Sequence, residues 1–267
     1  MTFLKFTIIG LIVLYFLVGA GVYFFQEKLI FLPEQLPRNF DYQFSTPFEE
    51  HFIEMNDGAE INLLHFKSDS AHGLILYFHG NAGSLERWGN VVEPFVEMGF
   101  DVMIMDYRGY GKSSGKRTYK SLLSDADEVY NFALKHVDEH NLIVFGRSIG
   151  SSFASHLGGK FNPSKLILET PFYSLGDIAN RVAPIYPPSY LLRFNFKNYE
   201  ALESATCPIY IFHGTSDAIV PLESGQDLYR TLDPDKSTLF VIEGGGHNDL
   251  AGYDDYWSEM TKVLSNE

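Results

Sequence analysis

A chain of 267 residues, 45% hydrophobic and 20% charged, is long enough for one sizeable core and has the ordinary composition of a globular α/β domain. Its formal net charge of −14, with no basic cluster or aromatic-basic stripe, excludes the phosphate-tracking surface by which nucleic-acid binders work. The single cysteine, Cys207, excludes an internal disulfide, and no C-x-x-C or H-E-x-x-H spacing offers a metal site.

The chain opens with an uncharged run from Phe6 to Phe25, FTIIGLIVLYFLVGAGVYFF. Twenty residues at about 1.5 Å each match a hydrocarbon core of roughly 30 Å, so residues 1–25 are expected to form a transmembrane anchor. Val18-Gly19-Ala20 resembles a signal-peptidase site, but apolar residues continue to Phe25 and into KLIFLP without a polar mature start, which favours a retained helix. No polar face interrupts the run, as one would in a buried core helix. Lys5 precedes the span and Lys28 follows it closely, a thin charge bias from which we expect a cytoplasmic amino terminus and an extracytoplasmic domain.

Residues 26–47, rich in proline and aromatics, read as an extended connector, and residues 48–267 as the folded domain. EEHFIEMNDGAEINLLHF alternates around Asn56-Asp57-Gly58, a hairpin signal. GLILYFHG is a buried strand ending in glycine, and Leu85, Trp88, Val92, Phe95 and Val96 follow at helical spacing. DVMIMDYRGYG is the next strand and turn, and Leu122, Ala126, Val129, Tyr130, Ala133 and Val137 mark a second amphipathic helix. NLIVFG, KLILET, PIYIFHG, which follows Cys207 and marks it as a core thiol, and STLFVIEGG continue the alternation. Short apolar strands separated by amphipathic helices predict a mostly parallel sheet with helices on both faces, a three-layer α/β sandwich. The pattern breaks between about 171 and 206, where YPPSYLLRFNFKNYE has two prolines and crowded aromatics without a clean period; this reads as a cap inserted over the sheet. DYRGYGKSSG imitates two glycine-rich motifs, but a phosphate loop needs glycine where Asp106 stands and a dinucleotide fingerprint needs glycine where Ser114 stands, so no cofactor is expected.

Functional groups of an open parallel sheet collect beyond the carboxyl ends of its strands. There, VFGRSIGSS places Ser148 between Gly146 and Gly150 directly after an apolar strand, the spacing of a nucleophile elbow. The helix beyond it directs free N–H groups toward a developing oxyanion, which makes the Ile149 N–H the first donor, and the N–H of Asn81 in HGNAG the second. His79 is the structural member of that turn. A serine needs a base, and the base needs a carboxylate to hold its tautomer. His247, on the glycine-rich loop after the last strand, and Asp217, after the strand before it, occupy those places, with Asp249 as the competing carboxylate. The chain order Ser148, Asp217, His247 is that of the elbow-bearing hydrolases.

Together FHGNAG, DYRGYGKSSG, GRSIGSS, ETPF, HGTSDAIVP and GGGHNDL, with the anchor and KLIFLP, resemble the small membrane-anchored α/β-hydrolase-domain serine hydrolases, some of which are protein depalmitoylases. The resemblance implies the α/β-hydrolase fold and the same triad. Many such proteins carry a second glycine where this chain has Ser151. The leading expectation is therefore a membrane-anchored serine hydrolase of carboxylic ester or thioester bonds acting through an acyl-enzyme on Ser148, with a small-molecule or acylated substrate, lipid or acyl-protein. A peptidase or amidase on the same triad and a catalytically silent membrane-tethered binding module are the rivals; a pure binder would need none of the four elements together. Tyr186, Tyr190, Leu191, Leu192, Phe194 and Phe196 are expected to line an acyl groove above Ser148, favouring medium acyl groups over acetyl. The role of Arg147, beside the nucleophile, is left open.

Overall fold

The architecture follows from a computed structural model that describes residues 2–265; Met1 and residues 266 and 267, the ends of the expected anchor and domain, lie outside it. Eight strands form the main sheet: β1 Phe48–Glu54, β2 Glu60–Phe66, β3 Leu74–Phe78, β4 Asp101–Met105, β5 Leu142–Arg147, β6 Lys165–Glu169, β7 Ile209–Gly214 and β8 Ser237–Ile242. Their order is β8-β7-β6-β5-β3-β4-β2-β1, and only β2 runs against the rest. The predicted hairpin closes β1 onto β2 with Glu54 opposite Glu60, and Gly58 takes the positive φ of 79° that the turn requires.

Period-two side chains split each central strand between two cores. Leu74, Leu76 and Phe78 of β3 face one core, with α3 (Tyr119–Ala133), α4 (Gly150–Lys160) and Leu228 of α8 (Leu222–Tyr229). Ile75 and Tyr77 face the other, against Trp88, Val92 and Phe95 of α2 (Leu85–Glu97) and Met260 and Val263 of α9 (Asp254–Ser265). The helix starts are locally encoded: Thr118 caps α3 by accepting from the Ser121 N–H while the Ser121 hydroxyl accepts from Thr118, a reciprocal box that satisfies two otherwise free donors. This is the mostly parallel, three-layer sheet expected from the alternation, and the α/β-hydrolase fold that the resemblance implies. Cys207 lies in the core, where burial pushes its thiol up to about 11.

The amino-terminal helix is longer than the apolar run. Helix α1 spans Thr2–Ile30, so the first five residues of the expected connector, 26–30, are helical. Most of its apolar side chains face outward, including Phe3, Phe16 and Phe24, so it is not a core helix of this domain. Its carboxyl end is built in. Gln26 is buried, and Phe31 joins the core, packing edge-on against Phe194 with ring centroids 4.9 Å apart. Leu32–Pro33 then pairs in parallel with Ala82–Gly83.

The expected cap resolves into three short helices, α5 Leu175–Val182, α6 Pro188–Leu191 and α7 Asn198–Ala201. Two of the aromatics assigned to an open acyl groove are core residues instead. Phe194 and Phe196 are 1% and 2% exposed, and Phe196 stacks edge-on with Phe153 of α4. Tyr190, by contrast, is 83% exposed.

Candidate active site

Strand β5 is buried along its whole length and delivers Ser148 at its carboxyl end with φ 53°, a left-handed conformation that costs a non-glycine residue strain. The flanking glycines are there because strand and helix pack without side chains between them. A Cβ on Gly146 would come within 2.6 Å of the Ala154 Cβ, and one on Gly150 would collide with the Phe78 carbonyl. Ser151, standing where glycine was expected, is put to use: its hydroxyl donates to the Ser148 carbonyl at 2.6 Å and accepts from Asn198 Nδ2 at 2.9 Å, tying the elbow to α7.

Ser148, Asp217 and His247, drawn from three loops, meet in one hydrogen-bonded line. Ser148 Oγ lies 2.9 Å from His247 Nε2, and His247 Nδ1 lies 2.8 Å from Asp217 Oδ2. An ionised carboxylate only accepts, so the proton sits on Nδ1 and Nε2 is left to accept from the serine hydroxyl. Burial by itself would raise the Asp217 carboxyl, but the hydrogen bonds from His213 and His247, with the N–H of Val220, outweigh it and hold it well below the usual carboxylate range. The second oxygen, Oδ1, accepts from the Ile219 and Val220 N–H groups at 2.9 and 2.8 Å, fixing the carboxylate plane. Asp249 instead accepts from the Gly246 N–H and shapes the loop's own turn.

Of the two expected oxyanion donors, Ile149 follows the serine in the chain and Asn81 lies on the HGNAG loop. Neither the Ile149 nor the Asn81 N–H has a hydrogen-bond partner among the described residues. The HGNAG loop is close enough that a Cβ on Gly80 would lie 3.9 Å from the Ser148 Cβ. Asn81 is held from three sides: its carbonyl accepts from the Leu32 N–H and the Tyr110 hydroxyl, and its Nδ2 donates to the Ile30 carbonyl at the end of α1. His79 is fully buried, its Nδ1 2.6 Å from the Gly80 carbonyl and its Nε2 3.4 Å from Asp106, and it reaches neither Ser148 nor Asp217 by hydrogen bond. Burial raises the Asp106 carboxyl.

Arg147 acquires a definite place. Its Nε lies 3.0 Å from Glu169 Oε1, the Tyr256 hydroxyl donates to Glu169 Oε2 at 2.7 Å, and the guanidinium donates to the His247 carbonyl at 3.3 Å. A buried ion pair thus braces the loop that carries the histidine from below. His213, whose Nε2 donates to the Val220 carbonyl, supports Asp217 in the same way at 3.4 Å. Sequence spacing gave no signal for Glu169 or Tyr256, which act through contacts between distant segments, whereas His213 stands only four residues before Asp217 in HGTSDAIVP.

Among the described residues, one group of possible metal donors lies away from the triad. Cross-strand register puts Glu49 opposite His65, and with His51 their donor atoms lie within 4.8 Å of one another. The Lys67 ammonium, 3.7 Å from Glu49, already neutralises that carboxylate. A cavity of about 1150 Å³ opens at the opposite end of the sheet, beside Gly73, Asn141, Lys165 and Pro208, and no triad residue lines it.

With that geometry in place, known proteins can be set beside the chain. Over 208 residues it is 31% identical to alpha/beta hydrolase domain-containing protein 17B of Homo sapiens, covering 75% of this chain and 69% of the human one. The chain belongs to the α/β-hydrolase-domain family. Over 271 residues it is 28% identical to an uncharacterized membrane protein of Saccharomyces cerevisiae, covering 96% and 94% of the two chains. The profile of the family described as "Serine aminopeptidase, S33" matches residues 69–196 of this α/β-hydrolase, a segment that holds Ser148 but ends before Asp217 and His247. Among solved structures, an esterase from Pyrococcus furiosus superposes with a TM-score of 0.69 at 19% identity, over 88% of this chain and 97% of the esterase, which shows the common fold. As a member of this α/β-hydrolase-domain family, the protein is a hydrolase. Among the described residues, one helix, Phe3–Ile30, is long and apolar enough to cross a membrane.

Proposed function

We propose that the protein is a membrane-anchored serine hydrolase that cleaves carboxylic ester or thioester bonds through an acyl-enzyme on Ser148. The observation that carries this reading is the unbroken line Ser148–His247–Asp217 beside two N–H groups with no partner among the described residues. Ser148 Oγ attacks the acyl carbonyl while His247 Nε2 takes its proton; the N–H groups of Ile149 and Asn81 receive the oxyanion. The imidazolium, steadied by the Asp217 carboxylate, then protonates the leaving alcohol or thiol as the C–O or C–S bond breaks. Water, deprotonated by the same Nε2, attacks the acyl-serine, and the acid leaves as Oγ regains its proton. These steps draw on the chain's own groups and water.

Anchoring rests on α1, whose 29 helical residues extend about 44 Å and exceed a hydrocarbon core of roughly 30 Å. Retention of the helix is favoured by its packing, since residues on both sides of Ala20, from Tyr15 to Gln26, contact the cap. The cytoplasmic amino terminus and extracytoplasmic domain rest on Lys5 and Lys28. A peptidase on the same triad is the second reading, supported by the aminopeptidase description of the matching profile.

The test is a hydrolysis panel of esters, thioesters and amides, with Ser148→Ala as blank and a fluorophosphonate as active-site label. Ester and thioester turnover, with label and turnover both lost in Ser148→Ala, is the expected result. Amide turnover alone would establish the peptidase, and undiminished labelling of the variant would remove Ser148 from the mechanism.

A further inference from the structure

The lower half of α1 and the tip of the cap enclose an apolar groove of about 480 Å³, walled by Phe16, Gly19, Ala20 and Tyr23 on one side and Tyr190 and Leu191 on the other. Its two sides are built to stay together. The rings of Tyr15 and Tyr186 stack with centroids 4.7 Å apart, the Tyr15 hydroxyl donates to the Ile185 carbonyl, and the Tyr186 hydroxyl donates to the Tyr15 carbonyl. Gly19 permits the approach, since a Cβ there would meet Tyr186 at 3.2 Å. Three residues beyond Tyr23, Gln26 ties the helix to the cap, donating to the Leu191 carbonyl and accepting from the Arg193 N–H.

Two features say where this groove lies. The cap tip exposes Val182, Ile185 and Tyr190, at 81%, 67% and 83%, beside a helix whose own apolar side chains face outward. The Ile185 carbonyl, outside any helix and bare in hydrocarbon, is instead satisfied from within by Tyr15, as the interior of a bilayer demands. A wall made from the spanning helix places the groove in the lipid leaflet, and Phe16 and Phe24, each 68% exposed, face the lipid beside it.

A third feature says how it meets the chemistry. The last carbonyl of α1, on Ile30, accepts from the side chain of Asn81, whose N–H is the proposed oxyanion donor. Measured along the helix at about 1.5 Å per residue, Tyr23 lies roughly 10 Å and Tyr15 roughly 22 Å from Ile30. An acyl group whose carbonyl rests at Asn81 therefore has to cross about 10 Å before touching the groove. Short acyl groups do not reach it, and long ones do.

We propose that the groove between α1 and the cap tip holds the distal part of one long acyl chain of a bilayer lipid, drawn in from the leaflet while its carbonyl sits at Ser148. This rests on the hydrolase reading above and names its substrate class. Long-chain lipid esters are selected by contacts in the groove, and short soluble esters bypass it.

The experiment uses the full chain reconstituted in phosphatidylcholine vesicles. Ser148→Ala protein is irradiated with phosphatidylcholine carrying a diazirine near the end of one acyl chain. Adducts are expected on peptide 186–191 as well as on 15–24, and Ala20→Trp and Leu191→Trp, which fill the groove from opposite walls, should each reduce the cap adducts several-fold. Adducts confined to α1, with 182–191 unlabelled, would overturn the proposal. In the catalytically intact chain, the ratio of kcat/KM for a vesicle-borne oleoyl ester to that for soluble butyryl ester should fall roughly fifteen-fold in each variant, the equivalent of two methylenes' lost burial. An unchanged ratio would overturn it, and so would loss confined to an S-palmitoyl peptide with the lipid ester spared. If wild type neither turns over butyryl ester nor takes the fluorophosphonate, it is the hydrolase reading that fails, while the adducts still report on the groove.

Discussion

Arg147→Met separates bracing from catalysis, because the residue takes part in both a buried ion pair and the histidine loop. Arg147 and Glu169 have side chains 9% and 5% exposed, and losing one partner of a buried pair costs about 3–5 kcal/mol by leaving the other charge unpaired. The Tyr256 hydroxyl still bonds Glu169, which puts the expectation at the lower end of that range. The guanidinium also donates to the His247 carbonyl at 3.3 Å and reaches the Asn248 side chain at 3.4 Å. Those long bonds contribute about 1–2 kcal/mol together, so kcat/KM should drop roughly 5- to 30-fold as the imidazole loses its fixed height above Ser148. Stability is read by thermal denaturation in detergent, and kinetics at a temperature where each variant is folded. The double change Arg147→Met with Glu169→Met removes both charges and should recover most of the stability. It should not recover kcat/KM. If it restores rate and stability together, Arg147 only neutralises Glu169, and the bracing of His247 is refuted.

Asp217→Asn should leave the fold intact and slow acylation by about 10⁴-fold, the loss known for this substitution in a Ser-His-Asp triad, whereas Asp249→Asn should have a small effect; the reverse order would move the carboxylate role to Asp249. Phe194→Ala should lower stability by about 3–5 kcal/mol and leave acyl-chain selectivity unaltered, because this ring is packed on Phe31 in the core; flattened selectivity in a stable variant would return it to a groove. The protein should stay with membranes through high-salt and alkaline washes, and a soluble mature chain beginning at Gly21 would establish a cleaved leader instead. Burial lowers the His65 imidazole to about 4 against the lift from Asp101, so its contribution to stability is full above an unfolded value of about 6.5 and is lost as pH falls toward 4. His65→Gln should therefore flatten melting temperature across that window, and parallel curves for the two proteins would count against it.

What the sequence made legible was whatever is encoded within a few residues. Asn56-Asp57-Gly58 specifies its own turn, and in Gly146-x-Ser148-x-Gly150 the first glycine answers to a clash with the helix that follows it, although the second answers to the Phe78 carbonyl of β3. The histidine and its carboxylate could be read because parallel strands send their carboxyl-end loops to one place. The end of α1 differs from the expected boundary for a local reason: polarity begins at Gln26, yet Gln26, Glu27 and Lys28 are good helix formers and the first obligate stop is Pro33. The cap misled for a non-local reason. Crowded aromatics look alike whether they line a groove or fill a core, and only Phe31 and Phe153, arriving from elsewhere, decide that Phe194 and Phe196 are core.

Asn81 unites the two kinds of information. Its backbone role follows from HGNAG after a buried strand, a local pattern. Its side chain ends on the Ile30 carbonyl, 51 residues away, which no local pattern encodes. A C-terminal helix carbonyl lacks an intrahelical partner, so the bond caps α1 and orients the loop at once. Tyr110 and Leu32 hold the Asn81 carbonyl from the other side, and the N–H of that residue has no partner among the described residues. The helix proposed to enter the membrane is thereby fastened to the loop proposed to receive the oxyanion, and a shift of one is a shift of the other.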